Sequence, residues 1–281
     1  MRAAVLNTCP GELEIEDVAV DKPGPREVLI HTAVAGLCHS DLHFMEGKYP
    51  AACPVVLGHE SAGIVEAVGE DVTYVKPGDH VITCLSVFCG ECEYCLTGRM
   101  ALCQSADVQR PGGAPSRLTR AGQPMNQFLN LSSFAEDLLV HEHAIVKIPD
   151  EVPLESAALL GCGATTGLGA VLNTAKVEPG STVAVIVCGG IGLNCIQGAF
   201  LAGARRVIAV DMVASKLELA KQFGATDVVD ASKGDPVGQV LGLTGDGVDY
   251  AFEAIGLKPT AEQAFNMLRR CGTGTIIGMI P

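Results

Sequence analysis

Four cysteines crowd into one short stretch, Cys89, Cys92, Cys95 and Cys103, with gaps of two, two and seven residues. Thiolates at that spacing can reach the corners of one tetrahedron, the geometry of a structural Zn²⁺. Neighbouring cysteines in a CxxCxxC run seldom pair cleanly as disulfides. Four protein ligands leave no open position, so such a knot stabilises a lobe and does no chemistry. A sparser set flanks it: Cys38, His59 and Cys162. Singly each is weak, because a lone buried cysteine is more often a small hydrophobe than a ligand. Together they offer two thiolates and one imidazole, with room for a fourth ligand. That set suits a Lewis-acid zinc that lowers the pKa of an alcohol or polarises a carbonyl.

The neighbours of this trio are polar. Cys38 lies in Gly36-Leu-Cys38-His39-Ser40-Asp41-Leu-His43, and His59 in Gly58-His59-Glu60. Asp41 is a candidate to hold the second ring nitrogen of His59, and Glu60 to support the metal from behind. Ser40 is placed to take a proton from an alcohol, and His43, titrating near neutrality, to pass it to solvent. His39 is a candidate contact for a cofactor phosphate. His31, His80, His141 and His143 read as ordinary strand or surface histidines.

A formal charge of −13 argues against nonspecific binding to nucleic acid or an anionic membrane. Twelve cysteines would suit a secreted disulfide protein, but four belong to the knot and two to the open trio, and the rest are scattered. The N-terminus lacks the apolar core of a signal peptide, and no stretch of eighteen apolar residues runs uninterrupted. The cytoplasm is the expected compartment.

The first 150 residues read as β-rich. The N-terminus reads as an edge strand, with further strands from Glu27, over 61–68, from Val81 and from Phe134. Residues 104–133 read as a long, Gly/Pro-punctuated loop, and 153–171 as a small-residue helix with Cys162 inside it. The character changes near Pro179-Gly180. Thr182 to Val187 is a continuous apolar run, the mark of a buried parallel strand, and strands then alternate with helices through Thr275–Gly278. Five strands are visible where a complete dinucleotide fold has six, which predicts further chain beyond Pro281.

The first of those strands runs into Cys188-Gly189-Gly190-Ile191-Gly192 and a helix. Such a turn brings backbone N–H groups and the helix N-terminus to a pyrophosphate. Asp211 closes the second strand 19 residues beyond Gly192. A carboxylate there accepts from both ribose hydroxyls and repels a 2′-phosphate, which favours NAD over NADP. Lys216 is one helical turn on and within reach of the same ribose. The first glycine of the usual Gly-x-Gly-x-x-Gly pattern falls on Val187. Either the turn keeps β geometry at that β-branched residue or cofactor binding is weakened.

Gly58-His59-Glu60-Ser-Ala-Gly63, the Cys38 segment, the four-cysteine lobe and the glycine turn together resemble the zinc-dependent medium-chain alcohol dehydrogenases. The resemblance covers nearly the whole chain. It implies a GroES-like β-barrel catalytic domain over residues 1–160, with the zinc lobe at 86–104, and a doubly wound Rossmann domain over 161–281. It implies two zinc ions per chain and NAD. Cys38, His59 and Cys162 would hold catalytic zinc, Ser40 and His43 would form a proton relay, Glu60 would stand behind the metal, and Asp211 would bind the ribose. Thr166 is a further expected cofactor contact. The expected activity is interconversion of a small alcohol with an aldehyde or ketone, in a homodimer or homotetramer. An S-(hydroxymethyl)thiol dehydrogenase, and an alcohol dehydrogenase whose tightly held NAD is recycled by an external electron acceptor, are alternatives on the same fold. A zinc-stabilised nucleotide-binding scaffold is the non-enzymatic alternative, and it predicts one zinc per chain.

Overall fold

The computed structural model describes residues 1–280. It divides into two compact units, Met1–Cys162 and Gly163–Pro281.

The first unit is built on an antiparallel five-stranded sheet, in the order Asp137–His141, Glu27–Ala35, Ser61–Val68, His80–Thr83 and Ile145–Lys147. Period-2 alternation sets its faces: Val28 and Ile30 are fully buried, Leu29 between them is only partly buried, and His31 is exposed. The N-terminal strand Arg2–Leu6 is not an edge. It lies between Leu13–Asp17 and Val55–Val56, which is why Val5 and Leu6 are fully buried. Residues 104–133 are not a bare loop either. They contain two short 3-10 turns, Ala106–Val108 and Phe128–Asn130, and the hairpin Leu118–Arg120 with Gln123–Pro124.

Buried charge fastens that segment. Arg110 and Arg117 both donate to Glu27, at 2.6–3.1 Å and 2.7 Å, and Arg110 also reaches Asp21 and the Lys22 carbonyl. Two arginines scattered in a polar, Gly/Pro-punctuated stretch are here an anchor on the main sheet.

In the second unit the parallel sheet has the order Asp227–Asp230, Arg206–Asp211, Thr182–Ile186, Val248–Glu253, Leu268–Ile276. The Thr182–Ile186 strand is buried at every residue, as expected when helices cover both faces. The chain steps outward from it in one direction, then crosses back to Val248–Glu253 on its other side. The switch point, where such folds bind ligands, therefore lies at the end of the Thr182–Ile186 strand. The Pro236–Thr244 helix begins where Asp235 accepts from the Val237 and Gly238 N–H groups with Pro236 in the first turn.

The Glu27 network has a measurable signature. Burial alone would raise the Glu27 pKa, but hydrogen bonds from Arg110 and Arg117 outweigh it and hold the carboxyl at about 2 against an ordinary 4.5. Its stabilisation is therefore complete above pH 4.5 and is lost as pH falls through about 2. We predict that Glu27→Gln lowers unfolding free energy by about 2–3 kcal/mol at neutral pH, a gap that narrows as pH falls below 4.5. Urea unfolding at several pH values measures this, and a gap independent of pH would contradict it.

Candidate active site

Cys38 sits at the N-cap of the short His39–Met45 helix, in extended conformation. The first turn then presents Asp41, which is 3% exposed, to the segment entering the Ser61–Val68 strand. Asp41 Oδ1 accepts from the Gly58 backbone N–H and bonds His59 Nδ1, each at 3.1 Å. Gly58 has φ +88°, and an added Cβ would strike Phe134, so glycine is required where the chain turns to deliver His59. With Nδ1 taken by Asp41, Nε2 of His59 is left for Cys38 or a metal.

Cys162 arrives by another route. The small-residue segment is not one helix: Leu154–Ala157 and Ala158–Leu160 end at Gly161, and a new helix begins at Gly163. Cys162 thus lies at a break and not inside a helix. The chain packs closely just before Cys162, because a Cβ at Gly161 would collide with the Thr83 carbonyl. Thr83 Oγ1 in turn accepts from the Ser61 N–H at 3.1 Å. Thr83 therefore ties the residue before Cys162 to a residue two beyond His59.

The result is a trio whose donor atoms all lie within 4.8 Å of one another. Cys38 Sγ is 4.0 Å from Cys162 Sγ. Two thiolates on a tetrahedral zinc, at bonds of about 2.3 Å, stand about 3.8 Å apart, so the residues fit the ion. A hydrogen bond from Cys162 leads in lowering the Cys38 thiol, to about 3, with His59 adding to it. Burial would lower the His59 pKa, but Asp41 and Cys38 overcome it and raise it to about 10. A thiolate beside an imidazolium is a metal site with a proton in the metal's place. Asp41 Oδ2 is buried without a partner among the described residues.

Ser40 Oγ lies 3.5 Å from Cys38 Sγ. His43 is 6% exposed, its Nδ1 has no partner among the described residues, and its ring is 4.8 Å from that of His39. Burial, then the charges of His39 and Lys48, lower its pKa. Glu60 is buried, its carbonyl accepts from the Gly36 N–H at 2.7 Å, and its carboxylate lies against Gly36, two residues before Cys38. His39 is exposed.

The four-cysteine knot closes on itself. Cys92 Sγ is 3.4 Å from Cys95 and 3.9 Å from Cys103, and Cys89 is 3.9 Å from Cys95. Backbone N–H groups of Glu91 and Cys92 point at Cys89 Sγ and lower its thiol to about 6. His143, read as an ordinary histidine, stacks on Phe88 at 4.5 Å and bonds its carbonyl, just before the knot. His141, at the end of the Asp137–His141 strand, is buried, and burial pushes its pKa down to about 4.

In the second unit the turn Val187–Gly192 sits at the switch point, and Gly190–Leu201 is a helix with Gly189 at its N-cap. No atom lies within 4 Å of where a Cβ would stand on Gly189 or Gly190, so the helix N-terminus is open to an anion. Gly192 serves packing instead, since a Cβ there would strike the Val187 carbonyl. Asp211 is 6% exposed and its oxygens accept from the Cys188 and Val213 N–H groups at 2.7 and 2.9 Å. Ile191 is partly buried, Lys216 is exposed on the Ala214–Gln222 helix, and Thr166 lies partly buried on the Gly163–Gly169 helix.

Comparison with known proteins agrees with both units. Residues 24–150 match the alcohol dehydrogenase GroES-like domain and residues 190–281 the zinc-binding dehydrogenase domain. The chain is 45% identical over 286 residues to an S-(hydroxymethyl)glutathione dehydrogenase of Photobacterium damsela subsp. piscicida, covering 99% of this chain and 78% of that protein. A zinc-binding alcohol dehydrogenase domain protein from Burkholderia ambifaria superposes with TM-score 0.90 at 39% identity, over 99% of this chain and 77% of that one. Benzyl alcohol dehydrogenase from Acinetobacter calcoaceticus does so with TM-score 0.88 at 38% identity, over 100% and 77%. The chain belongs to the zinc-dependent medium-chain dehydrogenase/reductase family, as a GroES-like domain followed by a Rossmann-like dinucleotide-binding domain. It is a zinc- and NAD(P)-dependent oxidoreductase acting on an alcohol or aldehyde type of substrate by hydride transfer, related to the class-III alcohol dehydrogenases.

Sequence reading missed Thr83 and Gly161, which position a ligand without being one. Gly161 carries a signal, a glycine beside a candidate ligand; Thr83 carries none.

Asp41 gives a direct test of the metal reading. We predict that Asp41→Ala weakens zinc at the trio about 10–100-fold and leaves the knot's zinc in place. Competition with a chelator, read by metal analysis, measures it; parallel loss from both sites would contradict it.

Proposed function

We propose that this chain catalyses the NAD-linked interconversion of an S-(hydroxymethyl)thiol, the adduct of formaldehyde with a small thiol, and the corresponding thioester. The open trio of Cys38, His59 and Cys162, set on a buried Asp41, carries the catalytic reading. The curated relatives support the thiol-adduct substrate. Likeness to benzyl alcohol dehydrogenase supports a second reading, an aromatic primary alcohol.

In this reading bound zinc supplies Lewis acidity at the substrate oxygen, and bound NAD accepts the hydride. Cys38, His59 and Cys162 hold the metal, and Asp41 fixes the His59 ring. Glu60 supports the same site from beside Gly36. Ser40 takes the hydroxyl proton. His43, three residues on along one helix face, accepts it; burial and the charges of His39 and Lys48 lower its pKa and so favour the neutral ring. His39, Thr166 and Lys216 would contact the cofactor, and Gly189, Gly190, Ile191 and Gly192 would hold its pyrophosphate. The Asp211 carboxylate binds the ribose and selects NAD over NADP. Cys89, Cys92, Cys95 and Cys103 hold structural zinc. None of the twelve cysteines is in a disulfide, which suits the cytoplasm, and family likeness suits a homodimer.

Two measurements test this. Formaldehyde with glutathione is expected to support NAD reduction where formaldehyde alone does not; a higher kcat/KM for benzyl alcohol would move the assignment to the second reading. His43→Gln is expected to lower the rate at pH 7 by about 100-fold or more, with the deficit shrinking as pH rises and water-derived base takes over. A deficit constant with pH would remove His43 from proton transfer.

A further inference from the structure

Val187 occupies the position of the phosphate turn that most demands glycine. Its φ is +73°, a left-handed conformation that a β-branched residue adopts only under constraint. Three contacts supply the constraint. The Val187 N–H donates to Val210 O at 2.8 Å, continuing the parallel ladder. The next N–H, of Cys188, donates to Asp211 Oδ2 at 2.7 Å. The Val187 carbonyl is pressed against Gly192, where no Cβ fits. The turn therefore cannot relax to β geometry, and the first of the two alternatives posed by the sequence is excluded.

The isopropyl group is only partly buried. It packs against the buried cluster on one face of the parallel sheet, to which Ile186 and Val210 belong, one residue from the N–H that Asp211 accepts. That is the edge over which a dinucleotide's adenosine ribose must lie to reach the Asp211 carboxylate. Gly189 and Gly190, by contrast, have open space above them and normal backbone. The glycines that remain keep the pyrophosphate seat clear, and the bulk stands beside the ribose seat.

We propose that Val187 sets the dinucleotide affinity of this chain: its side chain narrows the ribose seat, so NAD(H) is a dissociable co-substrate and not a resident, tightly held group. This rests on the reading of the second unit as an NAD site. The two effects of the valine separate. Because the turn is locked without ligand, the backbone strain is borne in folding and appears in the melting temperature. The bulk is borne in binding and appears in the dissociation constant.

The experiment compares the parent chain with Val187→Gly and Val187→Ala by thermal melting and by NADH fluorescence titration. At an ordinary position glycine is less stable than alanine; at a left-handed one the order inverts. Val187→Gly is therefore expected to melt about 2–4 °C above Val187→Ala. Both variants are expected to bind NADH about tenfold more tightly than the parent, and the parent to lose its dinucleotide on desalting. Alanine melting at or above glycine would overturn the left-handed backbone. Equal NADH affinity in all three chains, or dinucleotide retained by the parent through desalting, would overturn the affinity claim while leaving the NAD reading intact. Absence of NADH binding in all three, with the glycine variant still the higher-melting, would overturn both the NAD reading and the affinity claim built on it.

Discussion

One buried carboxylate organises the metal-binding unit. Asp41 holds the His59 ring and the Gly58 backbone with a single oxygen, and so joins the helix that follows Cys38 to the strand that follows His59. An unpaired carboxylate at 3% exposure would be expensive. Its remaining oxygen finds no partner among the described residues, so its charge is balanced through the imidazole it orients. A cation on the far side of that imidazole completes the balance. The depressed Cys38 thiol and the raised His59 are the metal-free expression of the same field.

The two cysteine clusters in this unit solve different problems. The knot draws all four ligands from one segment and satisfies its thiolates with that segment's own backbone N–H groups. It can form locally and gives its zinc no vacancy. The trio draws one ligand from each of three distant segments, so it exists only once the antiparallel sheet has folded. Thr83 and Gly161 show how exact that dependence is: a hydroxyl on one strand and a missing Cβ at a helix break bring Cys162 to the other two. The Arg110–Glu27–Arg117 cluster does comparable work for the long segment after the knot.

What the sequence made legible was local. Spacing alone revealed the knot, because ligation there depends on neighbours along the chain. Strand–helix alternation and the glycine turn revealed the second unit, and Asp211 followed from its place at a strand end. The trio could be named only as types of residue in plausible company. Long-range contact hid the rest. The N-terminal strand looks like an edge because its partner at Val55–Val56 is two residues long. The 104–133 segment looks like a loop because its anchors are arginines, which sequence patterns count as solvated. Cys162 looks helical because small residues suit a helix, whereas the chain breaks there, next to the close packing of Gly161 on Thr83. At Val187 the sequence posed the right question and could not answer it, since φ is fixed by groups 5 to 24 residues away.

Metal analysis of the purified chain beside its Cys162→Ser variant tests the central claim most directly. The account predicts two zinc ions per parent chain and one in the variant, with the fold kept and turnover lost. One zinc in both proteins would contradict it, and would leave Cys38, His59 and Cys162 as a buried cluster without a metal.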